Sequence, residues 1–223
     1  MQLFIANKNY SSWSMRSWVL LKAFDIQFEE KMILFPEECN TGSFKQNILA
    51  VNSSGKVPVL LDQELLVWDS LAIAEYLAEK FPEKGLWPSN LKWRAHARCI
   101  SAEMHSSFQS LRELCGMNIR ANFKKIGAQL WENHLALQSD IIRIEQIWSE
   151  RPNKNGFLCG DFSIADAFYA PVITRILTYG LPVSKNSQSY IQLMLAHPAI
   201  EEWMTDAKNE IVQVSYYDIY KED

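Results

Sequence analysis

The hydrophobic pattern of the chain changes once, at residues 81–88, and this change limits the folds open to it. Before this segment, short apolar runs alternate with apolar residues at helical spacing, whereas after it only the helical spacing continues. The segment carries two prolines and one glycine, which interrupt regular structure. A length of 223 residues allows two small domains. We therefore predict an α/β domain over 1–81, a linker over 82–90 and an all-helical domain over 91–223.

Strand and helix signals in the first domain follow the order β-α-β-α-β-β-α. Apolar runs bounded by polar residues indicate strands, and apolar residues spaced by three and four positions indicate helices. The last two strands are separated by three polar residues, as in a hairpin, and Asp69-Ser70 then caps a helix. The predicted strands cover 3–6, 28–34, 57–61 and 65–68, and the predicted helices cover 15–24, 44–50 and 70–81.

Apolar stripes at helical spacing dominate the chain beyond residue 91. Ser163 and Asp166 have the serine-x-x-acid spacing of a capping box, which would begin a buried helix and has a structural role. The two long stripes cover 100–115 and 130–148, and shorter helices are predicted over 164–179, 190–196 and 199–208.

Charge, hydropathy and cysteine spacing argue against several classes of protein. The net charge is −4, whereas nucleic-acid binders usually carry a basic surface. No apolar run of about 18 residues is present to cross a membrane, and the N-terminus lacks the pattern of a signal peptide. Scattered histidines predict no metal site. The cysteines form no CxxC pair, which is typical of reduced thiols in a cytoplasmic protein. They are Cys39, Cys99, Cys115 and Cys159.

Val57-Pro58 begins the third predicted strand, where a proline removes no internal ladder hydrogen bond. Among peptide bonds, only an X-Pro bond adopts the cis form at low cost. A cis bond here would turn the N–H and C=O of Val57 outward, so that they could pair with another extended backbone. A simple edge proline is the alternative interpretation.

Two helix N-termini carry polar residues that could act on a ligand. At the helix after Asp69-Ser70, the free N–H groups attract a carboxylate, while Asp69 could hold an ammonium group. A carboxylate and an ammonium on one carbon form the end of an α-amino acid. At the first helix, a hydroxyl of Ser11, Ser12 or Ser14 could stabilise a thiolate. Helix capping is the alternative role at both places.

Taken together, these residues resemble the glutathione S-transferase family along essentially the whole chain. The resemblance rests on the segments 55–60 and 69–77 and on the Gly-x-x-Ser-x-Ala-Asp box at 160–166. It implies a thioredoxin-like first domain that binds glutathione as co-substrate. It also implies a cytoplasmic homodimer, with a small electrophile bound between the domains.

The resemblance also implies roles for individual residues of the first domain. The backbone of Val57 would pair with the cysteinyl part of glutathione, and the bond to Pro58 would be cis. Asp69 and Ser70 would hold the γ-glutamyl end.

Within the family, Ser-Ser-Trp-Ser-Met-Arg at 11–16 is most similar to the Ser-Ser-Cys-Ser-x-Arg start of the zeta, or maleylacetoacetate isomerase, group. This match places Ser11 at the catalytic serine, and Ser12 is the second candidate. Trp13 stands where that group has cysteine. Tyr10 also carries a hydroxyl, but a packing role near the strand end is the expected one.

Three functions remain open at this point. The first is transfer of the glutathione thiol to a small electrophile. The second is glutathione-dependent cis–trans isomerisation of a maleylacetoacetate-like diacid. Arg16, Arg112 and Arg175 are candidate ligands for its carboxylates, whereas Trp13 argues against this reaction. The third is a non-catalytic interaction or ligand-binding module, because fold does not fix function.

Overall fold

The structure is a computed structural model that describes residues 1–36, 42–215 and 220. Its first part contains a four-stranded mixed sheet. The element order βαβαββα is confirmed. The strands are β1 Gln2–Ile5, β2 Glu29–Met32, β3 Val59–Asp62 and β4 Leu65–Trp68, and the helices are α1 Ser12–Ala23, α2 Ser43–Val51 and α3 Ser70–Lys80.

The strand order across the sheet is β2-β1-β3-β4. β1 pairs in parallel with β2 and antiparallel with β3, and β3 and β4 form the hairpin that their spacing predicts. In this register Phe4 lies beside Val59, and Val59 lies beside Trp68. The chain therefore leaves β1, enters β3 and leaves β4 at the same end of the sheet.

Helix α1 is buried on all sides. Every residue from 14 to 21 is buried, including the polar residues Ser14, Arg16 and Ser17. The helix packs against the sheet and α3 on one side, and against two helices of the second part of the chain on the other. Because α1 packs against both parts of the chain, its sequence shows no single apolar face.

The second part of the chain is helical, as its spacing predicts, and no further strand joins the sheet within the ranges that the structure describes. A short 3₁₀ turn at Pro82–Lys84 separates it from α3. Its helices are α4 Leu91–Ser106, α5 Gln109–Leu114, α6 Lys124–Asn133, α7 Leu135–Ser149, α8 Ile164–Tyr179, α9 Lys185–Leu195 and α10 Pro198–Asn209. None of the described helices is both long and apolar enough to cross a bilayer.

Both long apolar stripes are interrupted, which the sequence analysis did not predict. The stripe over 100–115 breaks at Phe108, whose φ of 63° is left-handed, and the stripe over 130–148 breaks at His134. At the first break, the Arg112 guanidinium donates to the carbonyls of Met104, His105 and Ser107 at the end of α4. A helix end leaves such carbonyls without intrahelical partners, so Arg112 stabilises the interruption.

The predicted capping box at the start of α8 is confirmed. The carboxylate of Asp166 accepts hydrogen bonds from the backbone and hydroxyl of Ser163, from the backbone of Leu158 and from the Tyr190 hydroxyl. Burial raises the pKa of Asp166 to about 6, although these hydrogen bonds act in the opposite direction. The role of this carboxylate is structural, because its oxygens are fully engaged within the protein.

Candidate functional site

Three segments that are distant in sequence meet at the end of the sheet marked by Phe4, Val59 and Trp68. The loop between β1 and α1 leaves this end and carries the serines. Val57-Pro58 enters β3 there, and Asp69-Ser70 follows β4 there. The register thus brings together the residues that the sequence analysis selected, and it directs the N-termini of α1 and α3 to one place.

The N-terminus of α3 combines an exposed carboxylate with a buried hydroxyl. Asp69 caps the helix, as predicted, by accepting a hydrogen bond of 2.8 Å from the backbone N–H of Leu71. Its φ of 74° holds the residue in an uncommon backbone conformation. The Ser70 hydroxyl is buried and has no hydrogen-bond partner among the described residues. A buried hydroxyl without a partner is unfavourable, so this oxygen is available to a ligand.

His105 reaches Asp69 from the helical part of the chain. Its Nε2 lies 3.4 Å from the Asp69 carboxylate, and its ring contacts that of Trp13 edge-on. Burial lowers the pKa of His105, Asp69 opposes this shift, and Arg16 and Arg112 add to it. This shift favours the neutral imidazole, which leaves the charge of Asp69 available to an ammonium group.

The bond between Val57 and Pro58 is cis, which confirms the expectation drawn from the resemblance. Pro58 is buried, and Val57 is partly buried against a small apolar cluster. The cluster contains Ala6, Tyr10, Phe35 and Val214, with Phe44 and Val212 at its margin. Residues from the β1–α1 loop and from the C-terminal segment therefore support this side of the site.

The serine hydroxyls at the start of α1 are linked to one another and not to the helix backbone. Ser11 Oγ lies 2.7 Å from Ser14 Oγ, and Ser14 Oγ accepts a hydrogen bond of 3.2 Å from the backbone N–H of Ala6. Ser12 Oγ accepts one of 3.1 Å from Arg175 in α8. The expectation that Ser12 or Ser14 caps α1 is thus corrected, because both hydroxyls have partners outside the helix terminus.

Tyr10 has the packing role that the sequence analysis favoured. Its ring is 4% exposed, and its hydroxyl oxygen accepts hydrogen bonds from the Arg120 guanidinium at 3.1 Å and from the backbone N–H of Val214 at 3.3 Å. Burial of the ring and the contacts of its hydroxyl with Arg120 and Val214 fit a residue that stabilises packing beside the site. The geometry therefore favours a serine over Tyr10.

The three arginines that the sequence analysis selected are close together in space. Arg16 is 2% exposed, and its guanidinium lies over the rings of Trp13 and Phe168. The pKa of Arg16 is lowered well below its ordinary value, first by burial and then by the positive charges of Arg112 and Arg175. This concentration of positive charge beside the serines favours a negatively charged group, such as a thiolate or a carboxylate.

None of the three cysteines within the described ranges contributes a thiol to this site. Cys99 is exposed, whereas Cys115 and Cys159 are buried, and burial raises the pKa of both buried thiols to about 12. All three are free thiols, and Cys39 lies outside the described residues. Across the described ranges, no three histidine, cysteine or acidic side chains are grouped as metal ligands.

Two contacts at the site were missed by sequence reasoning. His105 was not singled out, since a histidine on a helix in the second domain gives no local sign of its partner. Arg175 was selected only as a possible ligand of a substrate carboxylate, yet its guanidinium also bonds Ser12, which is 163 positions away in sequence. Such contacts depend on how the two parts of the chain pack, and no sequence motif predicts them.

The fold defines a class of protein: a thioredoxin-like domain joined to a helical domain. Comparison with known proteins is consistent with this class. Residues 10–80 match the family model for the glutathione S-transferase N-terminal domain, and residues 112–206 match the one for its C-terminal domain. The chain therefore belongs to the glutathione S-transferase family, and it is a glutathione transferase.

Individual relatives agree with this assignment. Glutathione S-transferase 1 of Dianthus caryophyllus is 32% identical over 191 residues, which cover 83% of this chain and 81% of the relative. A probable maleylacetoacetate isomerase of Caenorhabditis elegans is 34% identical over 173 residues, which cover 78% and 77%. A solved glutathione transferase homologue from Burkholderia, with bound glutathione, has a TM-score of 0.69 at 22% identity and covers 94% of this chain and 98% of that chain. This similarity to the Burkholderia structure is evidence for the fold alone.

Proposed function

We propose that the enzyme binds glutathione at the end of the sheet and activates its thiol with Ser11 for attack on a small electrophile. The observation that carries this proposal is the buried Ser70 hydroxyl, which has no partner among the described residues and lies beside the exposed carboxylate of Asp69. A hydroxyl, free N–H groups and a carboxylate at one helix terminus suit the carboxylate and ammonium of a γ-glutamyl group.

The rest of the peptide is held by Val57. As the residue before the cis bond, it offers its backbone N–H and C=O to the cysteinyl part of glutathione in strand-like pairing. This pairing places the thiol toward the N-terminus of α1, because Val57 packs beside Ala6 and Tyr10 of the loop that leads there.

Ser11 is suited to stabilise the thiolate through a short chain of hydrogen bonds. In the structure the Ser11 hydroxyl donates to Ser14 Oγ at 2.7 Å, and Ser14 Oγ also accepts from the backbone N–H of Ala6. When glutathione binds, rotation of the two hydroxyls lets Ser14 donate to Ser11 and Ser11 donate to the thiolate, and each hydrogen bond in such a chain strengthens the next. The positive end of α1 and the arginine cluster favour the thiolate in the same way.

Titration with glutathione and turnover of an aromatic halide test this function on the purified protein. We expect calorimetry to show binding with a dissociation constant between micromolar and millimolar, and the halide to be converted to its glutathione conjugate. Absence of binding at several millimolar glutathione would exclude the proposal. Binding without turnover of any electrophile would instead favour a non-catalytic ligand-binding role.

A second candidate, cis–trans isomerisation of a diacid of the maleylacetoacetate type, is favoured by the position of Arg175. Its guanidinium lies 3.1 Å from Ser12 Oγ, within the group of positive charges beside the proposed thiol position. The relative named a probable maleylacetoacetate isomerase supports the same candidate. Trp13 counts against it, because the zeta pattern has cysteine there. Parallel assays with a cis-configured diacid and an aromatic halide would separate the two reactions.

We also propose that the protein is a cytoplasmic homodimer. Each subunit would have a first domain over 1–81, a linker over 82–90 and a helical domain over 91–223. The elements expected at the interface, α3 and α4, lie beside exposed apolar side chains: Leu65 and Trp68 on β4 are 51% and 49% exposed, and Leu91 is 73% exposed. Two-fold pairing would remove this surface from water. Light scattering at micromolar concentration should give twice the 25.8 kDa of one chain, and a monomer mass would disprove the dimer.

A further inference from the structure

The β1–α1 loop, which carries Ser11, is hydrogen-bonded to the residue that follows α10. Glu210 follows α10 directly, and its two carboxylate oxygens accept separate hydrogen bonds from the β1–α1 loop. One comes from the backbone N–H of Lys8 at 2.6 Å, and the other from the backbone N–H of Asn9 at 3.0 Å. These two donors precede Ser11 by three and two positions, and they are joined to a residue about 200 positions away in sequence.

The backbone of Glu210 is itself held in place. The guanidinium of Arg120 donates to the backbone carbonyl oxygens of Glu210 and Val212, and it also donates to the Tyr10 hydroxyl. On the other side of the loop, Asn9 accepts a hydrogen bond of 2.9 Å from the backbone of Arg120. The loop and the segment after α10 therefore share a single hydrogen-bond network centred on Arg120 and Glu210.

Water cannot replace Glu210 in this network without rearrangement. Lys8 is 5% exposed and Asn9 is fully buried, so their backbone N–H groups depend on the carboxylate for partners. A buried N–H left without an acceptor is unfavourable, so loss of the carboxylate favours a shift of this loop. The backbone N–H of Ser11 bonds the carbonyl of Asn7 at 2.8 Å, so a shift of this loop would move the Ser11 hydroxyl as well.

We propose that Glu210 is a positioning residue for Ser11. It does not touch the substrate; it holds the backbone of Lys8 and Asn9 so that the Ser11 hydroxyl faces the thiol. This inference rests on the proposed function, because it takes Ser11 as the group that stabilises the thiolate. The C-terminal segment of the helical domain thereby determines how strongly the first domain activates glutathione.

The test is Glu210→Gln, which keeps the size of the side chain but leaves one oxygen for two N–H donors. We expect the pKa of the bound glutathione thiol, followed by thiolate absorbance, to rise by about one unit. Turnover below that pKa should fall about 10-fold, in proportion to the lost thiolate. The KM for glutathione should change less than about twofold, since Val57, Asp69 and Ser70 make the binding contacts. Amide hydrogen exchange of segment 6–11 should become faster.

Glu202→Gln is the matched control. Glu202 lies on α10, the helix that Glu210 follows; its side chain is 47% exposed, and its partner is Lys22 rather than the loop. This variant should keep the wild-type thiol pKa and turnover. If Glu210→Gln fails to fold, Glu210→Asp retains both oxygens on a shorter side chain, and the same rise in thiol pKa is expected, to a smaller extent.

The outcomes separate this inference from the function on which it rests. A lower melting temperature with an unchanged thiol pKa would show a merely structural role for Glu210 and would overturn the inference alone. If the wild-type protein binds no glutathione, the proposed function and this inference both fall. A raised thiol pKa in Glu210→Gln, with wild-type behaviour in Glu202→Gln, supports the inference.

Discussion

Ser11→Ala is expected to raise the pKa of bound glutathione toward the free-thiol value of about 8.5. The substitution removes the last hydroxyl of the chain that runs from Ala6 through Ser14. Turnover should fall by about 10- to 100-fold, which corresponds to roughly 1.4–2.7 kcal/mol of lost thiolate and transition-state stabilisation. Affinity for glutathione should change little. The measurement is the pH–rate profile of the variant beside that of the wild type.

Two further variants serve as controls for the choice of hydroxyl. Ser12→Ala removes the acceptor of Arg175 but leaves the Ser11–Ser14 pair intact. Tyr10→Phe removes an acceptor of Arg120, so it should reduce stability rather than shift the profile. If either control shifts the pH–rate profile while Ser11→Ala does not, the activating hydroxyl has been misassigned, although the family assignment would stand.

Asp69→Asn is expected to weaken glutathione binding by roughly 1.5–3 kcal/mol, or about 10- to 150-fold in dissociation constant. The asparagine side chain retains an oxygen for the backbone N–H of Leu71, so the cap of α3 is preserved while the charge that holds the ammonium is lost. Asp69→Ala removes both the charge and the capping oxygen, and should in addition lower the free energy of unfolding by about 1 kcal/mol. Calorimetric titration and thermal unfolding measure the two effects separately.

Asn90→Ala is a suitable control, since Asn90 caps α4 through the backbone N–H groups of Lys92 and Trp93. It should cost a similar amount of stability, about 1 kcal/mol, without any change in glutathione affinity. Wild-type affinity in Asp69→Asn would contradict the assignment of the ammonium to this carboxylate.

The parts of the fold that were predictable from sequence are those determined by local interactions. The helix at Asp69-Ser70 and the capping box at Ser163 were recognised because cap and helix are adjacent in the chain. The break at Phe108 was not, because its left-handed backbone is stabilised by Arg112, which donates to carbonyls behind the break. Continuous apolar spacing on both sides of the break gave no sign of it.

The same distinction applies to the candidate site. Local motifs selected Ser11, Val57, Asp69 and Ser70, and the sheet register brings their segments to one end. Partners that the helical domain supplies were not predictable. His105 beside Asp69 is one case. Pairings over such distances follow from tertiary packing, which hydrophobic periodicity does not encode.

The burial of α1 on all sides has a consequence for how substrates enter. A hinge that separated the two domains would have to expose part of this helix, whose apolar side chains, such as Met15, Val19 and Leu20, are inaccessible to water. Exposing side chains of that size costs about 1.5–3 kcal/mol each, so rigid-body separation is a rare event. Movements of side chains and loops are therefore expected to admit a substrate, without separation of the two domains.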